Sequence, residues 1–469
     1  MSMILGAYGL KVLNDKQIQQ IIDASFKILE HTGVLVENDE ILKKLGEFGG
    51  RVDLDKQRVC FSRQFIEDYM SGIKKVSWED KPVRFTASAE IYEGYFLDPV
   101  DGQFKAWNHE HFFNYVKVAK ELKNLSGIVM LGCPLTDLQP GLQPLYEKLY
   151  CWKYGIYGGS AIWDTELCPQ IYDMWTIYAD ERKKDIGELF NGTVYLISPL
   201  KFAYVEAQQF MYFYKRGLRV NVGASGALGS SYPVTLAGAI ALHLAENIFI
   251  SILDTAFFGT NTMSLYSSIA VLDMSRGAFQ YGRPEKSIVN IAFSQIARYL
   301  GLNYSGHTGL SDAKVPGHEA GVQKVVSAIF TASSSGIGNI AAGLLGVDQI
   351  FSPVQLILDD EITGALNRIC EGMEVNDETL ALDVINEIGP GGNFLATDHT
   401  LMNFRKTLWQ PVTWSREMYN IWDMNGRKND IDKAKDMYLS IIYDGKVLES
   451  QISEETEKKL LDIIKRCIK

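Results

Sequence analysis

The chain has 469 residues, 46% of them hydrophobic and 22% charged, a balance that excludes a disordered or low-complexity chain. A net charge of −11 gives a mean field that repels nucleic acid and anionic membrane surfaces, so neither is an expected partner. The six cysteines form no C-x-x-C pair, no leader of secretory type is read at the start, and no apolar run reaches the ~20 residues of a membrane helix. Reduced thiols and a cytoplasmic location are expected.

Asn14, with Gln17 at the capping-box position, opens a helix whose period is carried by Ile18, Ile21, Ile22, Phe26 and Leu29. Gly33 closes it. A second helix is predicted from Asp39 to Leu45 and a third from about Ser62. Residues 85–107 alternate and turn often, as β-hairpins do, which predicts a small sheet outside the main body.

After Asn108 the rhythm changes to helix followed by apolar strand. Helices over 108–122, 144–152, 168–179 and 203–216 lead to SGIVMLGC, GIYGGSAI, GTVYLIS and LRVNVGA. A helix over 235–253 precedes TAFFGT, another ends at Leu300 before LNYSG, and one over 319–333 precedes IGNIAAGLL. This alternation predicts an α/β chain, a (β/α)8 TIM-type barrel with an N-terminal helical and β extension and C-terminal helices. An open doubly wound sheet is the alternative, but no G-x-G-x-x-G follows an early strand. The expected division is 1–107 for the extension, 108–410 for the barrel and 411–469 for a charged helical segment, packed as one unit.

Conventional catalytic groupings are sparse. His109 and His111 share a spacing that suits a strand, but a helix start makes them diverge, so no metal site is expected. GASGAL (223–228) lacks the last glycine of a nucleophile elbow and reads as a tight turn. The polar loop after Asn303 holds His307, Thr308, Ser311, Asp312 and Lys314 at a strand's C-terminal end, where barrel folds place their sites. Aromatics fall near strand ends at Trp163, Tyr195, Phe257, Phe258, Tyr266 and Phe351; such rings are usually core, and together they suit a quaternary ammonium group, which has no hydrogen bond to offer.

An ordered series of segments resembles the trimethylamine methyltransferase family, and within it the members that lack pyrrolysine. It comprises LNDKQIQQIIDASFKILEHTGVLVEN, PVTLAGAIALHLAEN (233–247), the stretch from Asp273 through Gly282, Pro284 and Glu285 to QIARYLGL, GLSDAKVPGHEAG (309–321), AAGLLG (341–346), LDDEITG (358–364) and residues 375–411. The resemblance implies a β/α barrel that moves a methyl group from a quaternary amine, such as glycine betaine, to the Co(I) centre of a separate corrinoid protein. On that reading no cofactor is held tightly, cobalamin arrives with the partner, and a homo-oligomer is possible. The expected substrate-binding set is His307, Trp163, Tyr195, Tyr266, Arg276, Asp312, Phe351 and Gln355, with Arg276, Arg283, His307 or Gln355 holding a betaine carboxylate. No residue is assigned to acid–base catalysis, because displacement from a quaternary nitrogen releases a neutral amine and needs mainly positioning. Asp359, Asp360 and Glu361 read as a helix N-terminus. A betaine-binding protein without transfer and an unrelated barrel lyase or hydrolase are the competing readings.

Overall fold

The computed structural model describes residues 10–78, 82–139, 141–162, 164–444 and 446–468. Local signals in the N-terminal part behave as expected. Asn14 and Gln17 form a reciprocal capping box on the helix Asp15–Lys27, which buries Ile18, Ile21, Ile22 and Phe26. Asn38 and Ser62 cap the helices Asp39–Glu47 and Arg63–Gly72.

The fold is mixed α/β. Its central strands are β1 (Arg84–Ile91), β2 (Gly127–Met130), β3 (Tyr157–Gly158), β4 (Thr193–Ile197), β5 (Asn221–Leu228), β6 (Ser264–Ser267), β7 (Ile269–Asp273), β8 (Asn303–Gly306) and β9 (Ile337–Ala342). Pairing is parallel from β9 to β1, β2 and β3, from β4 through β5 to β7, and from β6 to β8. An isolated parallel bridge joins Ala161 to Thr193, and beyond β8 the Ala341 amide donates to the Gly309 carbonyl at 3.2 Å.

Along β4, Val194 and Leu196 are buried against the helices while Thr193, Tyr195 and Ile197 face the other way. That alternation is the period of two that a strand imposes. The outer layer includes α1 (Leu236–Phe258), α2 (Pro284–Leu300), α3 (His318–Ser335), α4 (Pro353–Glu371) and α5 (Asp430–Tyr443). Helix α1 is long and apolar enough by composition to cross a membrane, but it is mostly buried in the protein.

Four sequence expectations are corrected. Residues 84–91, read with a separate small sheet, are β1, hydrogen-bonded between β9 and β2; Ala87, Ala89 and Ile91 are buried, so the alternation marks a central strand with two different faces. TAFFGT is the end of α1 and its Gly259 cap, and the strand starts at Ser264. GASGAL lies within β5 rather than in a turn. Asp359, Asp360 and Glu361 sit in the middle of α4, buried, and each has its own partner: Lys324 Nζ at 2.6 Å, the Asn124 amide at 2.7 Å, and the Val412 and Thr413 amides at 2.7 and 2.6 Å. Buried carboxylates need such partners, whereas a helix N-terminus would have supplied them locally.

Candidate active site

Residues from the central strands line a cavity of about 1200 Å³. Six tyrosines line it: Tyr92, Tyr157, Tyr195, Tyr266, Tyr281 and Tyr304. Tyr195 is 54% exposed and Tyr266 39%, although both stand on central strands, because their rings face the cavity. Were this space a filled core, such positions would be packed side chain on side chain.

Tyr266 is held by its backbone. His243 Nε2 lies 2.8 Å from its carbonyl, and its amide donates to Asn247 Oδ1 at 3.0 Å. Both partners project from α1, and His243 Nδ1 is fixed in turn by the Tyr232 hydroxyl at 2.8 Å.

Three titratable groups share the cavity wall. Glu90, at the end of β1, is pushed up to about 8, mainly by burial and further by the negative charge of Asp348. Asp348 is pushed up to about 6 by burial, against the pull of Lys286 and Lys324. Its Oδ1 is buried without a hydrogen-bond partner. Val347 and Asp348 have φ of 62° and 64°, the left-handed region, where a β-branched valine is strained. That turn carries Asp348 to the cavity wall.

The third group, His307, has Nδ1 3.4 Å from Lys286 Nζ and its ring 5.2 Å from that of Tyr281, edge-on. Burial and the Lys286 charge hold His307 well below the ordinary histidine range, so it is neutral at pH 7. With Nδ1 facing an ammonium, the ring proton belongs on Nε2. Lys286 is itself buried, 4.8 Å from the Tyr281 ring centre, and burial pushes it down to about 8.

Of the residues expected from sequence, Tyr195, Tyr266 and His307 line this one cavity. Asp312 works through its neighbour: its carboxylate accepts the Tyr281 and Gly282 amides at 2.6 and 3.0 Å and so places the Tyr281 ring. The other described members lie elsewhere. Phe351 packs among Phe96, Trp107 and Tyr115. Gln355 is buried on α4 and donates to Asp359 Oδ1 at 2.7 Å. Arg276 is exposed in the turn after β7, and Arg283 pairs with Asp273 at 3.0 Å. Trp163 lies outside the described residues. His109 and His111 belong to a first helical turn, on Asp137 and the Ala106 carbonyl respectively.

Sequence reasoning missed Glu90, Asp348 and Lys286, and the tyrosines Tyr92, Tyr157, Tyr281 and Tyr304. Only Asp348 had a usable signal, since an aspartate after G-V beyond a strand end suits a left-handed turn. The others depend on which strands become neighbours.

A family model described as trimethylamine methyltransferase (MTTB) matches residues 159–468. The glycine betaine methyltransferase of Desulfitobacterium hafniense (strain Y51) is 27% identical over 460 residues, covering 90% of each chain. The trimethylamine methyltransferase MttB of D. hafniense (strain DSM 10664 / DCB-2) is 24% identical over 93% of this chain and 90% of its own. MttB of Methanosarcina barkeri (strain Fusaro / DSM 804) is 30% identical over 53% of this chain and 50% of its own. The monomethylamine methyltransferase MtmB of M. barkeri aligns over 96% of this chain at 11% identity with a TM-score of 0.44.

Proposed function

The chain belongs to the trimethylamine methyltransferase (MTTB) family, and from that premise we propose that it transfers a methyl group from a betaine to the Co(I) centre of a corrinoid protein. Glycine betaine, the smallest of its class, is the first candidate. The observation that carries this reading is the composition of one cavity: six tyrosine rings, the Asp348 carboxylate with its buried Oδ1 unpartnered, and a neutral His307 polarised by Lys286. Every residue of the chain is a standard amino acid, which fits a member that acts on an already activated quaternary nitrogen.

A betaine is a zwitterion, and the cavity offers complementary ends. The trimethylammonium group binds to ring faces and to Asp348, since it has no N–H to donate in a conventional hydrogen bond and is held by π-faces and charge. The carboxylate accepts a hydrogen bond from His307 Nε2. When the N–CH3 bond breaks, its electron pair stays on nitrogen and a neutral tertiary amine leaves, so the protein needs no base. The residues bind, orient and exclude water from the line of transfer. The reduced corrinoid is a co-substrate that supplies the nucleophile and accepts the methyl group; a cavity of about 1200 Å³, far larger than a betaine, leaves room for it to approach.

For the architecture we propose that the strands close into a barrel of eight, with β6 and β7 counted as one strand. The Ala161–Thr193 bridge and the Gly309–Ala341 bond support closure. On this reading β1 belongs to the barrel, the residues before it form the N-terminal extension, and all parts pack as one unit. A cytoplasmic setting is supported by six free cysteines, five of them buried.

The test mixes purified protein with a Co(I) corrinoid protein and quaternary amines, and follows cobalt methylation by absorbance. A spectral change with betaines and none with trimethylamine is expected. No change with any quaternary amine, given a corrinoid protein active with another methyltransferase, overturns the proposal.

A further inference from the structure

Between Gly372 and Asn429 the chain leaves the body as an arm. It carries the helices Asp377–Leu380, Leu382–Ile388, Asp398–Thr407 and Tyr419–Met424, none of which buries a residue. Thr413 is the only buried residue of the stretch, pinned with Val412 by the Glu361 carboxylate. The arm departs from the end of α4 and returns to α5, which packs on α4. A segment of this length without a core cannot offset its own conformational entropy, so something must cover it.

Its composition says what kind of surface is missing. Seventeen large apolar side chains from Met373 to Met424 are exposed, Leu395 at 82% and Leu401 at 80% among them. Together they offer on the order of 1000 Å² or more of apolar surface, above the roughly 800 Å² per partner that a stable interface buries.

A second unpartnered surface lies on α3. Its inner face is made of Ala320, Ser327, Ala328, Thr331, Ala332 and Ser335, all buried. Its outer face carries Val322, Val326, Ile329 and Phe330, all exposed and spaced i, i+4, i+7, i+8. An outer-layer helix that meets water has the opposite pattern. Helix α3 is more apolar outside than inside.

We propose that these two surfaces cover each other between two copies of this chain, the arm of each copy lying across the outer stripe of α3 of the other. A second copy supplies both missing partners at once, and a two-fold axis buries both twice. A corrinoid protein must leave after each turnover, whereas a coreless apolar arm must stay covered throughout; large apolar interfaces are the permanent kind.

Sedimentation velocity at micromolar concentration, paired with hydrogen exchange, tests this. The wild type is expected to sediment at no less than twice the chain mass, with arm amides protected. Leu395→Glu with Leu401→Glu on the arm, and separately Val326→Glu with Phe330→Glu on α3, should each shift the particle to a single chain and lower arm protection at least 10-fold. Slow exchange retained in α1 and α2 distinguishes loss of assembly from unfolding. A wild type that is a single chain at tens of micromolar overturns the proposal, as does an α3 variant that keeps a two-chain particle with a protected arm. Arm protection that appears only when a corrinoid protein is added also overturns it, and assigns the surface to that protein.

Discussion

Lys286 Nζ stands 3.4 Å from Nδ1 of His307, behind the cavity wall that His307 lines. On the proposed reading Lys286 is a positioning residue: it sets which imidazole nitrogen carries the proton without touching substrate. Lys286→Met should raise KM for a betaine about 10-fold with a smaller change in kcat, and Lys286→Arg should restore part of it, measured by steady-state cobalt methylation. Equal loss of kcat in both variants would contradict the positioning role.

The pH profile of betaine binding follows from the same groups. If a betaine binds as proposed, Asp348, at about 6, loses its charge and its hold on the cation as pH falls through that value. Lys286, at about 8, loses its proton as pH rises, and His307 Nδ1 loses its donor. Binding measured by calorimetry should be tightest between about pH 6 and 8. Asp348→Asn should remove the acid limb and Lys286→Met the basic limb. His307→Ala should weaken binding while the acid limb stays, since His307 titrates well below that range.

Aromatic faces should carry the cation. Tyr266→Phe keeps the ring and should change the Kd for a betaine by less than about 3-fold, while Tyr266→Ala should weaken it about 10-fold, near 1.4 kcal/mol. A phenylalanine variant as weak as the alanine one would mean that the hydroxyl, rather than the ring, is what binds.

Glu90 links the cavity to stability. Its ordinary value is 4.5 and its folded value about 8, so the unfolded chain loses the proton first and the native state loses stability as pH rises from about 4.5 through 8. Glu90→Gln keeps the neutral form and should stabilise the protein at pH 8 by on the order of 2 kcal/mol, a rise of a few degrees in Tm. At pH 4 the gain should vanish, as thermal melts at both pH values will show.

Lys324 and Asp359 form a fully buried pair at 2.6 Å, each with a second partner in the Ala341 carbonyl and the Gly343 amide. Lys324→Met strands a buried carboxylate and should cost about 3–5 kcal/mol in denaturant unfolding. Lys324→Met with Asp359→Leu should lose less than the single change.

The helices were legible because their signals are local. Asn14 with Gln17 caps where expected, Ser62 and Asn108 cap helices predicted to begin near them, and apolar period separates strand from helix. The error at residues 84–91 came from the same kind of evidence. Alternation shows that a strand has two unlike faces, without saying whether the less apolar face meets solvent or a cavity.

The candidate site was half legible. Tyr195, Tyr266 and His307 stand out as aromatics and a histidine near strand ends, and they do meet in one cavity. Phe351 and Gln355 carry equally suitable chemistry but fall one layer outward, in the core and on α4.

The sequence by itself determined the family, the alternation of helix and strand, and the residue types suited to a cation, because these reside in order and composition. Tertiary structure alone decided that Glu90 and Asp348 share a wall, that Lys286 stands behind His307, and that the apolar face of α3 points outward. Those relationships join residues distant along the chain, and their energetics depend on burial and separation, which exist only once the strands have chosen their neighbours.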